Sequence, residues 1–154
     1  YNTEYGDTIW KSCSLRAWLN DEFLNNAFNK AERNKIAITK VKNSKNPEHD
    51  TPGGADTKDK VFLLSIAEAD KYFADDDDRQ TQPTAYAIAQ GAYVDSDNGN
   101  CRWWLRSPGR YRDFAASVVY NGVVSSGVDI LDSAFCVTSA DSAVRPAMWI
   151  NLES

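Results

Sequence analysis

Two short apolar runs constrain this chain more than any other feature. They are Trp103-Trp104-Leu105-Arg106-Ser107-Pro108-Gly109 and Val144-Arg145-Pro146-Ala147-Met148-Trp149-Ile150-Asn151-Leu152. Each embeds one arginine and one proline among residues that want to be buried. A buried guanidinium is costly unless it is paired, so Arg106 and Arg145 are each expected to meet a carboxylate or backbone carbonyls and pin the fold. The segment between the runs is rich in Gly, Ser and Asn and reads as β structure. Asn121-Gly122, flanked by apolar residues 115–120 and 123–126, signals a two-residue hairpin. Further strands are expected at 128–131, 135–138 and 144–152, with Pro146 at a bulge or an edge because proline cannot donate to a ladder.

Ahead of these runs the pattern is helical. Leu15, Trp18, Leu19, Phe23 and Ala27 follow i, i+3, i+4 spacing with a serine placed to cap, which predicts an amphipathic helix over 15–28. Residues 36–41 read as a strand, 43–58 as a long polar loop, and Val61-Phe62-Leu63-Leu64 as a buried strand. Ser65 and Glu68 form a capping box that opens a helix through Phe73, and Pro83-Thr84 opens another through Ala92. The four aspartates at 75–78 read as a solvated loop, since charges of one sign repel. Asp95-Ser-Asp-Asn-Gly99 begins like a calcium-binding EF-hand loop. Its glycine comes one position early, however, and its twelfth residue is Arg106 where that loop needs glutamate, so it is read as a turn. Helices first and strands after make the class α+β.

A length of 154 residues suffices for one domain with a real core. The net charge of −5 offers no basic face for phosphate, which argues against nucleic acid as a partner. No apolar run is long enough to span a bilayer, so no direct membrane insertion is expected. Every lysine lies at or before Lys71, and beyond it the cations are Arg79, Arg102, Arg106, Arg110, Arg112 and Arg145. Arginine beside tryptophan suggests buried pairs or a recognition surface, because its planar fork both stacks and pairs. Cys13, Cys101 and Cys136 show no metal-ligand spacing, and neither metal nor cofactor is expected. One disulfide with one thiol, or three thiols, both fit that count. His49 stands alone in the polar loop, without a nucleophile that its position singles out.

The ordered set of residues 14–20 (SLRAWLN), 59–65 (DKVFLLS), 103–109 (WWLRSPG) and 144–152 (VRPAMWINL) resembles a bacterial domain-of-unknown-function family. That family is widespread in Gram-positive gut bacteria, often within multidomain surface proteins. The likeness runs from about Trp10 to Leu152. The family is in turn similar to C-type lectin-like domains of the formylglycine-generating-enzyme type. The resemblance implies a C-type lectin-like α+β domain, with two or three early helices and a twisted antiparallel β-sheet in the C-terminal half. It also implies a cell-surface or secreted location. Family members carry about two more strands ahead of the tryptophan-led helix, so residues 1–154 read as a single domain excised from a longer protein without its first strands. In the glycine-aromatic-arginine ending of the lectin-like strand, Ala143-Val144-Arg145 stands here without the glycine.

The function expected from this is a non-catalytic binding module for a protein or carbohydrate ligand. Its contact surface is expected in the late β segment, at Arg110, Tyr111, Arg112, Asp113, Phe114, Tyr120, Asn121, Asp129 and Phe135. Tyrosine and arginine supply rigid area and forked donors, which recognition surfaces favour. In some lectin-like proteins this segment is diversified by retroelements, and the mixed make-up of 110–141 is compatible with that. Trp18, Trp104, Arg106, Arg145 and Trp149 are assigned to structure, with sugar stacking on Trp103 or Trp104 as another use for that pair. One rival reading is a spacer without a ligand, which would bury the rings that a binding module exposes. The other is a formylglycine-generating-type oxidase, which would need Cys101 and Cys136 to handle copper.

Overall fold

The structure is a computed structural model and describes residues 1–127 and 136–152. It is a mixed α+β fold. A 3-10 turn, Trp10–Ser12, leads into a continuous helical stretch: α1 (Ser14–Trp18), a π turn (Leu19–Phe23) and α2 (Leu24–Ala27). The cap is Cys13, whose sulfur accepts the Arg16 N–H, and not one of the serines beside it. The π turn presents Asn20 sideways. Its Nδ2 donates to the carbonyls of Arg16 and Val61, and its Oδ1 accepts the N–H groups of Lys60 and Val61. After α3 (Lys30–Lys35), β1 (Thr39–Val41) pairs antiparallel with β2 (Thr57–Asp59).

Val61, Phe62 and Leu63 are buried as expected but form no strand, the Phe62–Ala147 pair being an isolated bridge. The physical reason is that their backbone is satisfied by other groups. Asn20 takes one end, the Arg106 guanidinium takes the Leu63 carbonyl at 2.7 Å, and the Arg106 N–H takes the Leu64 carbonyl at 2.9 Å. The same holds at the C-terminus. Residues 143–150 run as a lacing segment, bridging Trp103, Phe62 and Ile36 in turn, where a continuous strand was expected. The strand expected at 36–41 shrinks likewise to β1 and the Ile36–Ile150 bridge.

Helices continue well past the early part of the chain. Ser65 and Glu68 close the expected capping box on α4 (Ile66–Tyr72). Asp75 caps α5 (Asp76–Arg79), so the aspartate run is a helical turn and not a loop. Thr84 caps α6 (Ala85–Ala89). The main sheet is β3 (Trp103–Pro108), β4 (Ala115–Val118) and β5 (Val124–Ser125), all antiparallel in sequence order. Ser117 faces Ser125 and Val118 faces Val124, with Val119 N–H bonded to the Val123 carbonyl. That register leaves three residues, 120–122, in the hairpin loop in place of two. Gly122 takes the left-handed position that such a loop needs (φ +87°). A Cβ there would overlap the Asp76 carbonyl oxygen, because the hairpin tip lies directly on α5. The strand expected from 135 to 138 reduces, in its described part, to a Phe114–Cys136 bridge and a turn.

Strand β3 is buried on both faces. Trp104 packs with Trp10, Leu19, Ile36, Val61 and Leu63, and Trp103 and Leu105 pack with Ile66, Ala69, Ala116 and Val118. Neither Trp103 nor Trp104 is therefore open to a sugar ring. Two buried charges tie the helical layer to these clusters. The Asp59 carboxylate, fully buried, accepts Trp10 Nε1 at 3.0 Å, Thr57 Oγ1 at 2.7 Å and Arg16 Nε at 2.8 Å. Arg106 forks onto both oxygens of Glu68 and also donates to the carbonyls of Leu63 and Lys42. Burial works against the Glu68 charge, but the hydrogen bonds from Arg106 and the Ser65 N–H outweigh it and hold the carboxyl below its usual range.

Replacing Arg106 by Ala strands the Glu68 charge and two carbonyls, and is expected to cost about 3–5 kcal/mol of stability in denaturant titration; Arg106→Lys should recover only part, because a lysine cannot fork. The lowered Glu68 pKa contributes stability that is present above the ordinary carboxylate pKa and lost as pH falls through the folded value. Glu68→Gln should therefore lower stability near neutrality and flatten the acid limb of the stability–pH curve. An unchanged acid limb would disprove the assignment. Gly122→Ala combines a strained φ with a backbone overlap, and thermal melts should show a loss of at least about 1–2 kcal/mol.

Candidate recognition surface

The residues expected to contact a ligand begin where β3 ends. Pro108-Gly109 turns the chain away from the sheet, and the Gly109 N–H returns to the Phe114 carbonyl at 2.8 Å. A side chain at Gly109 would press on the Phe114 Cβ at 2.6 Å, so only glycine lets the turn close. Residues 110–114 are then held through their backbone. The Arg110 N–H reaches the Ser126 carbonyl, the Arg112 carbonyl accepts the Thr8 N–H, and the Asp113 carbonyl accepts the Val137 N–H. From below, the buried Asn46 donates to the Pro108 carbonyl and the Ser126 hydroxyl, each at 2.9 Å, while its Oδ1 caps Glu48 and His49. Thr51 Oγ1 donates to the Arg110 carbonyl at 2.8 Å. The long polar loop is thus built into the platform of the turn.

On that platform the side chains face out. Arg110, Tyr111 and Arg112 are exposed, and Asp113 and Phe114 are half-buried. Tyr111 stands edge-on to Phe114 with ring centres 5.6 Å apart, and the Arg110 guanidinium lies 5.5 Å from the Tyr111 ring. Asp113 accepts the Tyr5 hydroxyl at 2.5 Å, a bond that pushes the Tyr5 pKa up, and Arg112 sits 3.8 Å from Asp7. Beside Arg112 runs a groove of about 340 Å³, lined by Asp7, Thr8, Ile9, Ser12, Pro52 and Gly54. The N-terminal contributors, Tyr5 and Asp7, were missed in the sequence. No local pattern marks them, because only the fold brings them to residues more than 100 positions away.

Tyr120 and Asn121 belong to another patch. Tyr120 packs on Tyr93, with ring centres 6.2 Å apart, and Arg102 lies 4.8 Å from the Tyr93 ring. Asn121 shapes its own turn, its Oδ1 accepting the Val123 N–H, while its carbonyl accepts a Gln80 amide. Asp129 and Phe135 lie outside the described residues. Among the described residues, the 110–114 turn thus contacts Tyr5, Asp7 and Thr51, whereas Tyr120 and Asn121 contact Tyr93 and Gln80.

Of the residues assigned to structure, Trp104 and Arg106 are buried, and Trp18 is half-buried against Phe23. Arg145 meets no carboxylate among the described residues. It lies between Phe73 and Trp103, 4.9 and 5.0 Å from the ring centres, and donates to the Arg79 carbonyl. Burial lowers its pKa. Trp149 departs from its assignment: it is 52% exposed and packs edge-on to Tyr72 at the surface. Its carbonyl accepts the Ala37 N–H at 2.8 Å while its ring faces solvent.

All three cysteines are free thiols; burial pushes Cys13 up to about 11 and raises Cys101 too, away from the reactive thiolate. The His49 ring has exposed Glu48 at 3.6 Å as its ionic neighbour. Among the described residues, no group of three His, Cys, Asp or Glu side chains could hold a metal ion, and no helix is long and apolar enough to cross a membrane.

Compared with known families, residues 1–152 match the family described as a domain of unknown function (DUF6273), and the chain belongs to it. Comparison with curated proteins and with solved structures finds no match.

Proposed function

We propose that this member of the DUF6273 family is a non-catalytic recognition module, C-type lectin-like in architecture, carried by a surface or secreted protein of a Gram-positive bacterium. It takes a protein or glycan ligand on the 110–114 turn and the groove beside it. One observation carries the reading: Tyr111 and Arg112 are exposed on a turn whose position is fixed by its backbone. Recognition favours side chains of that kind on a rigid support, because little freedom is lost on binding. The same arrangement supports a segment open to diversification. Several of the bonds that hold residues 110–113 are made by N–H and carbonyl groups, so the turn keeps support from its backbone beside the Asp113–Tyr5 and Arg112–Asp7 side-chain contacts.

A spacer without a ligand is the competing reading. It draws on Arg106, Asp59 and Asn46, whose polar groups are turned inward to bonds within the fold. The two are separated by screening the folded domain against a glycan array and a panel of surface proteins, with and without calcium. Tyr111→Ala and Arg112→Ala should each weaken binding about tenfold or more while the melting temperature stays within about 2 °C. Tyr120→Ala should leave binding intact, since that ring sits in the other patch. A folded domain that binds nothing on either panel would establish the spacer.

A further inference from the structure

The ribbon formed by β1 and β2 carries a charge pattern that the fold itself does not balance. Burial alternates along both strands and just beyond them. Val41, Asn43, Thr57 and Asp59 face inward, while Lys40, Lys42, Asp56 and Lys58 are exposed. In the ladder Lys40 stands directly opposite Lys58. Residues so placed have Cβ atoms about 4.5–5.5 Å apart, and like charges there are destabilising. Of the ribbon's own residues only Asp56 brings a carboxylate to this face, and that group is taken. It accepts the Asn43 N–H at 3.2 Å and pairs with Lys40 at 3.3 Å. Asp59 is turned to the other face, where Arg16 and Trp10 hold it. Lys42 and Lys58 make no ion pair among the described residues. Lys60 adds a half-buried ammonium at the end of β2, donating to the Arg33 carbonyl of α3 at 2.6 Å.

A basic face of this kind is complementary to an anion, and three observations narrow which. Its cations are all lysines, while the nearby arginines bend elsewhere: Arg16 to Asp59, Arg33 to the carbonyls of Asn25 and Phe28. A lysine is a point charge that meets a phosphate oxygen from any direction, whereas a carboxylate is matched best by the arginine fork. The charges also lie in a row and not in a pocket. Exposed positions two apart on one strand are about 6.5–7 Å apart, which suits a linear chain of repeated charges better than a single ion. Finally, residues 38–42 and 56–60 contain no aromatic side chain, so nucleobases would find nothing to stack on. The net charge of −5 is an average over the chain, and this face departs from it. Charges more than about 8 Å away are largely screened at physiological salt, so a polymer lying on the ribbon responds to the lysines beneath it.

We infer that the outward face of the β1–β2 ribbon docks a linear phosphodiester polymer without bases, held by Lys40, Lys42 and Lys58. The contact is electrostatic and does not rest on the function proposed for the 110–114 turn. The opposition of Lys40 and Lys58, unfavourable in the free domain, is relieved when a phosphate lies between the two ammonium groups.

The test uses a fluorescent oligomer of abasic deoxyribose phosphates, its binding to the domain followed by anisotropy as salt is varied. It should bind at low salt, and the logarithm of its affinity should fall linearly with the logarithm of salt concentration. Three phosphate contacts correspond to a slope of about −2. Lys42→Gln and Lys58→Gln should each weaken binding several-fold at low salt and reduce the slope by about 0.7 in magnitude. Lys58→Glu should abolish binding while the melting temperature holds or rises, because it turns a like-charge pair into a cross-strand ion pair with Lys40. Tyr111→Ala should leave the affinity for the oligomer unchanged. No binding at low salt would overturn the inference. So would binding that survives Lys58→Glu, or poly-L-glutamate of matched charge binding as tightly. A thymidine oligomer of equal length that binds much more tightly than the abasic one would overturn it too, by showing that bases are read.

Discussion

Arg106 sits in the middle of a strand whose every residue is buried, and its guanidinium gathers three other parts of the chain. One edge forks onto Glu68 at the start of α4, and further N–H groups take the carbonyls of Leu63 and Lys42. The Tyr1 hydroxyl, from the other end of the chain, closes on the Arg106 carbonyl at 3.0 Å. A lysine has neither the planarity nor the number of donors for this arrangement. Only Nε is left without a partner. Asp59 repeats the logic with the sign reversed, as a carboxylate that collects donors from Trp10, Thr57 and Arg16. Most of the polar residues in the four motifs that mark the family likeness serve these junctions or their neighbours. Arg16, Asn20, Asp59 and Arg106 all bond across the fold, Ser65 caps α4, and Ser107 Oγ accepts the Ile66 N–H. The motifs describe how the domain is held together.

This division of labour leaves the surface available for other work. The 110–114 turn stands on backbone that buried groups fix from beneath, through Asn46 and Thr51. Side chains that make no contribution to such a frame are free to serve contact, which is the economy a recognition domain needs.

The sequence was legible where a single local rule governed. The capping box at Ser65 and Glu68, the Thr84 cap, the burial of Arg106 and the amphipathic run from Leu15 all follow from spacing or from the cost of an unpaired charge. It was misleading where a distant side chain replaced the expected backbone partner. Val61 to Leu64 has the composition of a strand, yet Asn20 and Arg106 occupy the positions a neighbouring strand would have taken. The hairpin took three loop residues because its tip had to fit against α5, a contact no local pattern announces. Trp149 shows the same limit. An apolar motif indicates burial, but the alternation of an extended segment decides which rings face out. Tyr5 and Asp7 carried no signal at all, since their role exists only beside the 110–114 turn.

The interior run 61–64 has a consequence for how the chain reaches this state. Its partners come from sequence separations of 41 residues at Asn20, 43 at Arg106, and farther still at Ala147, and no neighbouring hairpin holds it meanwhile. Each of those closures loses chain entropy before the next can repay it. The order of assembly is therefore nearly all-or-none: a nascent chain that has not yet delivered residues 143–150 has an apolar run whose backbone is only partly satisfied. In such a topology the run 61–64 waits for its Ala147 partner until the chain is nearly complete, and contacts so distant in sequence slow folding in general.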